Sequence, residues 1–244
     1  MRLRPRWAVP LLVVALWELA ARRTHDVFFP PPSTIVPLLA QPDAVASLWP
    51  SLARMAAGLT AAALVGVTLG LALGRSERLT AYLDPLLQFA RAIPPPTLVP
   101  VFIVLMRLGP PMQIVSIAAG AVWPILLNAA DGARAVDPVQ TAIARVFRLS
   151  AADRLTRIIL PSALPKIFAG LRLSLSLALI LMVFSELLPG SADGIGFRLT
   201  DAQSRSDLPT VWSAIVLLGL LGYLLNTLLR AVERRALGRP SGGV

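Results

Sequence analysis

Long apolar runs constrain this chain of 244 residues more than any other feature. An α-helix needs about 20 mostly apolar residues to cross the roughly 30 Å of hydrocarbon in a bilayer. By that measure the sequence predicts six spans, at 7–21, 55–74, 85–106, 112–130, 167–188 and 211–229. Because 56% of the residues are hydrophobic and only 15% are charged, we predict an all-α integral membrane protein.

The first apolar run also has features of a signal peptide, since it is short and follows Arg2, Arg4 and Arg6. Glu18 interrupts it, however, and no clear small-residue cleavage site follows. We therefore favour a retained helix over a cleaved leader.

The composition also limits the chemistry. The chain has no cysteine, which excludes thiolate metal sites and disulfides, and His25 cannot form a histidine-based metal site alone. We expect no cofactor. The net charge of +10 would suggest nucleic acid in a soluble protein, but the arginines here lie between apolar runs and indicate topology and lipid contact.

The charges predict an orientation in which both termini are cytoplasmic. Most lysine and arginine residues then lie inside, as the positive-inside rule requires. The exceptions are Arg22, Arg23, Arg54, Arg107, Arg198 and Arg205 on the outer side, and Arg91 within a span.

The segment between the fourth and fifth runs is basic and helix-forming, and this orientation places it in the cytoplasm. Asp137 and Pro138 form a typical helix start, which predicts a helix over 138–147. Ser150 and Asp153 resemble a capping box, which predicts a second helix over 151–159. Pro161 and Pro165 are expected to end it. Such a pair is typical of a docking element or of an amphipathic surface on anionic lipid.

Several residues within the spans suggest packing or a solute pathway. Span two has a glycine at every fourth position, at Gly66, Gly70 and Gly74. This spacing indicates either a seam where another helix packs closely or the glycine content that is common in membrane helices. Prolines after Arg91, including Pro94 and Pro95, must break helical hydrogen bonding. The break is either a pathway-lining kink or a loop between two helical pieces.

Glu186 lies near the outer end of span five. Intramembrane charges usually face the bundle interior or water, so Glu186 either lines the pathway or reaches the membrane interface.

Six segments in order carry a resemblance to one family. They are "FFPPPSTI", "SLARMAAGL", "LDPLLQFARAIPPPTLVPVFIV", "WPILLNAADGARAVDP", "LPSALPKIFAGLRLSLSLAL" and "SELLPGSADGIG". Together they resemble permease subunits of binding-protein-dependent ABC importers of the nitrate, sulfonate and taurine type, over about 7–233. The resemblance implies a type I importer permease fold in a bacterial inner membrane. It also implies two ABC ATPase subunits, a second permease subunit and a solute-binding protein as partners.

The family's cytoplasmic loop carries Glu-Ala-Ala, three residues, Gly, nine residues and Ile-x-Leu-Pro. Aligning Ile158, Leu160 and Pro161 with its end places Arg148 on the glycine. There an arginine would either adopt a positive φ, at a cost of about 1 kcal/mol, or force a different turn. The resemblance makes the loop the ATPase-docking element. Its residues would be Ala142, Ile143, Ala144, Arg145, Val146, Phe147, Arg148, Ser150 and Asp153.

Only Ala144 matches the Glu-Ala-Ala, and Ala142 replaces the glutamate. These departures fit either a heterodimer with a more standard permease or a divergent homodimer. The chain itself lacks the Gly-Lys pair of a Walker A motif, since its one lysine, Lys166, follows proline. The ATPase must therefore be another polypeptide.

We expect 1–50 to form an N-terminal transmembrane helix and outer loop, 51–233 the core permease domain and 234–244 a cytoplasmic tail. The expected solute is a small sulfonate-like or nitrate-like anion, or a related organic solute. The pathway candidates are Arg91, Pro94, Pro95 and Glu186. A secondary transporter or channel, with Arg91 and Glu186 as coupling groups, is the alternative function.

Overall fold

A computed structural model describes residues 8–24 and 26–238 of the chain. Outside the described residues lie Trp7, the three N-terminal arginines, His25 and Arg239. The side chain of Arg145 also lies outside the described part, although its backbone belongs to a helix.

Every regular element in the described residues is helical, as predicted. In chain order the helices are α1 (Ala8–Thr24), α2 (Pro32–Leu39), α3 (Pro42–Arg75), α4 (Glu77–Ala92), α5 (Val99–Met106), α6 (Pro110–Arg134), α7 (Pro138–Val146), α8 (Ala151–Arg154), α9 (Leu160–Glu186), α10 (Ile195–Ser204) and α11 (Leu208–Ala236). A 3-10 turn at Pro95–Leu98 precedes α5, and a π turn at Leu155–Ile159 joins α8 to α9.

Four helices are long and apolar enough to cross a membrane: α3, α6, α11 and the continuous Ala151–Glu186 helix. They correspond to predicted spans two, four, six and five. The third predicted span is broken at its prolines, as expected, since α4 and the Pro95–Met106 segment meet at 86° and together form at most one further, broken span. The 17 residues of α1 reach only about 26 Å at 1.5 Å per residue. Length and composition thus support four or five of the six predicted spans.

The prediction that Pro161 and Pro165 end the second helix of the loop before span five is wrong. The chain continues from Ala151 to Glu186 as one helix of 36 residues. The π turn at Leu155–Ile159 immediately precedes Pro161, and the Leu160 N–H donates to the Leu155 carbonyl five residues back. In a regular α-helix the proline ring would clash with the preceding turn, and its lack of an N–H would leave a carbonyl unpaired. The wider π turn makes room for the ring and lets the helix continue.

The chain divides into two compact units. Unit 1 contains Met1–Leu52 and Glu186–Leu221, and unit 2 contains Ala53–Ser185 and Gly222–Val244.

In unit 2, α3 packs closely along α6 through a row of glycines. A Cβ atom on Gly66 would lie 3.0 Å from the Ile125 side chain, and one on Gly70 would lie 2.5 Å from the Leu126 carbonyl oxygen. Gly74 likewise faces the Ala130 backbone. The predicted packing seam is therefore confirmed, since these glycines let two backbones approach where any side chain would clash.

An adjacent side of α6 packs against α9 in the same way. Gly132 abuts Ala163, and Gly170 lies against the backbone at Pro124 and Ile125. The Ser174 hydroxyl donates to the Ala121 carbonyl at 2.5 Å. Small residues thus let both α3 and α9 approach α6 closely.

Unit 1 is held by aromatic and hydrogen-bonding contacts. Trp17, Phe29 and Trp212 form a cluster with ring centroids 5.2 to 5.8 Å apart. The Ser33 backbone N–H and hydroxyl donate to the Glu18 carboxylate at 2.9 and 2.7 Å. Because Ser33 lies in the first turn of α2, Glu18 provides the negative charge that a helix N-terminus favours.

The glycine seam predicts a strong effect of one methyl group. We expect Gly70→Ala to destabilise the protein by about 1 to 3 kcal/mol, because the new Cβ would overlap a backbone carbonyl that cannot move alone. The midpoint of denaturant unfolding in detergent measures this change. Gly219→Ala is the control, because nothing lies within 4 Å of that Cβ position. Equal midpoints for the two variants would contradict the packing role of the seam.

Candidate functional site

The loop between α6 and α9 begins with the predicted helix. The Asp137 carboxylate accepts a hydrogen bond from the Val139 N–H at 2.8 Å, and Pro138 occupies the first helical position. Asp137 thus satisfies a donor that the start of every helix leaves free. These local contacts confirm the start of α7, which ends at Val146.

The end of α7 requires a left-handed residue. Arg148 has φ of 49°, and the Leu149 N–H donates back to the Ala144 carbonyl at 3.0 Å. This 6→1 bond is typical of a Schellman helix end, in which glycine normally holds the left-handed position. Of the two outcomes open to Arg148, the structure therefore has the positive φ, and the side chain is accommodated at a conformational cost.

One face of α7 is apolar and exposed. Ile143, Val146 and Phe147 expose 50%, 79% and 74% of their surface. Val139, four residues before Ile143, is also exposed and extends the same face. The sequence interpretation missed Val139, although its spacing of four residues from Ile143 was the available signal. An exposed apolar patch of this kind marks an interaction surface.

The other predicted docking residues divide by exposure. Ala142 and Arg148 are exposed, whereas Ala144 is buried and faces the protein itself. The side chain of Arg145 lies outside the described part. The one alanine that matches the family signature is thus in a packing position, and the available surface is the apolar face.

The start of α8 has the predicted cap. The Asp153 N–H donates to the Ser150 hydroxyl at 3.1 Å, and that hydroxyl donates to the Asp153 carboxylate at 2.6 Å. Asp153 also pairs with Arg157 Nε at 3.1 Å. Ser150 and Asp153 therefore hold the second helix of the loop in place.

The pathway candidate Arg91 lies on the polar face of α4. With Asp84 and Gln88 it lines a cavity of about 80 Å³ against the last turns of α6. A larger cavity of about 1040 Å³ adjoins it and shares Asp84 and Arg134. The polar side of α4 thus faces cavities within unit 2.

The opposite side of α4 exposes Leu79, Tyr82, Leu86 and Phe89. Polar groups toward the interior and apolar groups outward are the arrangement that a membrane environment favours.

The proline candidates have different surroundings. Pro95 packs within unit 2 against Gly120 of α6, where a Cβ atom would lie 2.9 Å from the proline ring. Pro94 is exposed. The break itself is the junction between two helical pieces, which was one of the two interpretations of this segment.

Glu186 is fully buried in unit 1. Its carboxylate accepts hydrogen bonds from the Ser51 hydroxyl at 2.8 Å and the Gly196 N–H at 3.0 Å. Gly194, at φ 104°, lies directly against the carboxylate, leaving no room for a side chain. Glu186 is therefore enclosed by protein, and its hydrogen bonds join the end of α9 to α3 and to the start of α10.

Comparison with known proteins gives one family for most of the chain. Residues 33–238 match the family described as "Binding-protein-dependent transport system inner membrane component". A putative aliphatic sulfonates transport permease protein, SsuC of Bacillus subtilis, is 32% identical over 94% of this chain and 85% of its own length.

Two further relatives are 36% identical. The bicarbonate transport system permease protein CmpB of Synechococcus elongatus aligns over 75% of this chain, and the nitrate import permease protein NrtB of Leptolyngbya laminosa over 76%. The alignments cover 66% of the length of each of these relatives.

A solved structure shares the fold. A chain from the inward-facing MetNI methionine ABC transporter superposes with a TM-score of 0.66 at 18% identity. The match covers 79% of this chain and 95% of that one. At this identity the likeness establishes the fold alone.

The left-handed Arg148 predicts how substitutions change the stability of the loop. We expect Arg148→Gly to strengthen the α7 end by about 1 kcal/mol, because glycine adopts positive φ without a Cβ clash. Arg148→Val should weaken it, since a branched side chain is least tolerated there. Hydrogen exchange of the Leu149 amide, which bonds to Ala144, measures both effects. Equal protection in the two variants would contradict this account.

Proposed function

Because the chain belongs to the family of binding-protein-dependent transport system inner membrane components, we propose that it is the permease subunit of an ATP-driven importer. It forms the solute pathway together with a second permease subunit, and two separate ABC ATPase subunits supply the energy. A solute-binding protein delivers the solute. The chain has no Gly-Lys pair for a phosphate loop, so ATP hydrolysis takes place on the partner chains.

The exposed apolar face of α7 is the observation that carries this proposal. Val139, Ile143, Val146 and Phe147 are too exposed to contribute to the core, and an apolar helix face fits a groove on a partner. This face is the docking surface for one ATPase subunit. Buried aromatic anchors dominate such interfaces, so Phe147 contributes most to docking.

The continuous helix after the loop supports a mechanical role. Because α8, the π turn and α9 form one helix from Ala151 to Glu186, displacement of the loop moves the span with it. Closure of the ATPases on ATP brings the two α7 helices of the permease pair together. The attached spans then tilt, and the pathway opens outward to receive solute.

The solute is a small anion. The three relatives above are named for bicarbonate, nitrate and aliphatic sulfonates, which share a compact negative group. Arg91 lines a cavity in unit 2 and supplies a positive charge that such a group would meet. Within the pathway Arg91 contacts the solute, and the break at Pro94–Pro95 changes the direction of the chain after α4. The buried Glu186 instead stabilises unit 1.

The chain lies in a bacterial plasma membrane with both termini in the cytoplasm. The excess of arginine on one side of the predicted spans supports this orientation. It places the α7 docking face in the same compartment as the ATPases.

The absence of native cysteine allows a direct test of orientation. We expect Gln203→Cys, at an exposed position in α10, to react with a membrane-impermeant maleimide in intact spheroplasts. Ala152→Cys, in α8, should react only after the membrane is permeabilised. Labelling of Ala152→Cys before permeabilisation would reverse the proposed orientation.

A charge on the docking face should uncouple the complex. We expect Phe147→Asp to reduce co-purification of the ATPase and ATP-dependent uptake at least tenfold, because an aspartate would be buried without a partner. Uptake of labelled nitrate, bicarbonate and taurine into proteoliposomes with ATPase and binding protein measures the second effect. Phe147→Leu, which keeps an apolar contact, is the matched control.

Two results would contradict the proposal. Intact assembly and uptake in Phe147→Asp would show that α7 is not the docking element. Uptake by the native chain that continues without ATP and stops when the ion gradient collapses would instead indicate a secondary transporter.

A further inference from the structure

A groove of about 460 Å³ lies within unit 2, beside the second helix of the loop. Its walls come from the last two turns of α3 and the first turns of the Ala151–Glu186 helix. The apolar part includes Thr68, Leu71, Leu155 and Ile159. The groove shares no lining residue with the proposed docking face on α7 or with the cavity at Arg91.

The groove lies at one end of a packed pair of helices. Arg75 is the last residue of α3, and Arg154 lies in the first turn of the Ala151–Glu186 helix. The two helices pack together through Leu71 and Ile167, so both arginines lie at the same end of the pair, which the proposed orientation places at the cytoplasmic membrane surface. Thr68 is seven residues before Arg75, which is about 10 Å deeper along the helix.

The groove carries two positive charges that its own walls do not neutralise. Among the described residues that line it there is no carboxylate. Asp153, the acid next to Arg154, is already paired with Arg157 and bonded to Ser150. Arg154 Nε is buried, and within the described part of the chain it has no hydrogen-bond acceptor. Such a donor can bond to an acceptor from outside the chain, such as a phosphate oxygen or water, and the positive charge of both arginines favours the phosphate.

We propose that this groove binds an anionic phospholipid. The phosphate lies between Arg75 and Arg154, whose guanidinium groups match phosphate oxygens in geometry and charge. One acyl chain follows the apolar wall between Leu71 and Ile159. Basic pockets between membrane helices at the cytoplasmic surface favour such headgroups. An acidic protein segment would also pair with the arginines, but it would leave the apolar wall of the groove uncovered.

The bound lipid would connect two moving parts. One wall of the groove is the end of α3, and the other is the π turn that transmits loop displacement to α9. A lipid in this position therefore stabilises the loop end of the span. This inference goes beyond the proposed transport function and does not depend on which solute is carried.

The experiment uses the full chain in a neutral detergent, with fluorescent phosphatidylglycerol as the probe and phosphatidylcholine as the neutral comparison. We expect the double variant Arg75→Gln/Arg154→Gln to bind phosphatidylglycerol about tenfold more weakly, because two charge-assisted contacts are lost. The matched control is Arg78→Gln/Arg235→Gln, which removes the same net charge from residues that do not line the groove and leaves the Asp153–Arg157 pair intact. Its affinity should change less than about twofold.

A second variant keeps both arginines. Ala72→Phe places a ring in the groove at an exposed position and should also weaken phosphatidylglycerol binding. The rise in unfolding midpoint on adding the lipid, which follows from binding to the folded state, should fall in both groove variants.

Four outcomes would overturn the proposal. These are equal loss of binding in the two double variants, equal affinity for phosphatidylcholine, full displacement of the probe by millimolar inorganic phosphate, and displacement by the ATPase subunit. The last would assign the groove to the protein interface.

Discussion

Close approach of α3 and α9 to α6 is the interaction on which unit 2 depends. In a bilayer the lipid tails are as apolar as leucine, so helices associate through tight packing rather than through removal of apolar surface from water. Glycines at Gly66, Gly70 and Gly132 allow that packing, because each faces the backbone or a side chain of its partner helix. The groove between Arg75 and Arg154 exists only because this packing brings the ends of two membrane helices to the same surface.

The loop between α6 and α9 combines the proposed docking face with a continuous helical connection to the next span. Its first helix, α7, exposes apolar side chains, and its second helix continues without interruption into α9. The π turn before Pro161 makes this continuity possible, since it removes the conflict between the proline ring and a regular α-helical turn. A break at that point would let the loop move while the span stayed still. In the continuous helix, both move together.

Unit 1 is organised around buried polar contacts. Ser51 donates to Glu186 and accepts from the Ile195 N–H at 2.9 Å, so one hydroxyl links three segments of the chain. A carboxylate away from water is stable only when its oxygens are hydrogen-bonded. Because Gly194 lies against the carboxylate, the turn before α10 must be formed for Glu186 to be enclosed. Glu186 is thus part of the packing of unit 1.

Local signals in the sequence determined a large part of this protein. Asp137 and Ser150 begin their helices through contacts with residues two or three positions away, and four apolar runs are long enough to require membrane helices. The resemblance placed Arg148 on the family's glycine, and the prolines after Arg91 predicted a break. Tertiary structure alone decided the 86° angle of that break, the continuity across Pro161, the enclosure of Glu186 and the position of Arg75 and Arg154 in one groove. The reason is physical: caps and apolar runs depend on neighbours along the chain, whereas burial and bending depend on which distant backbone lies within a few ångströms.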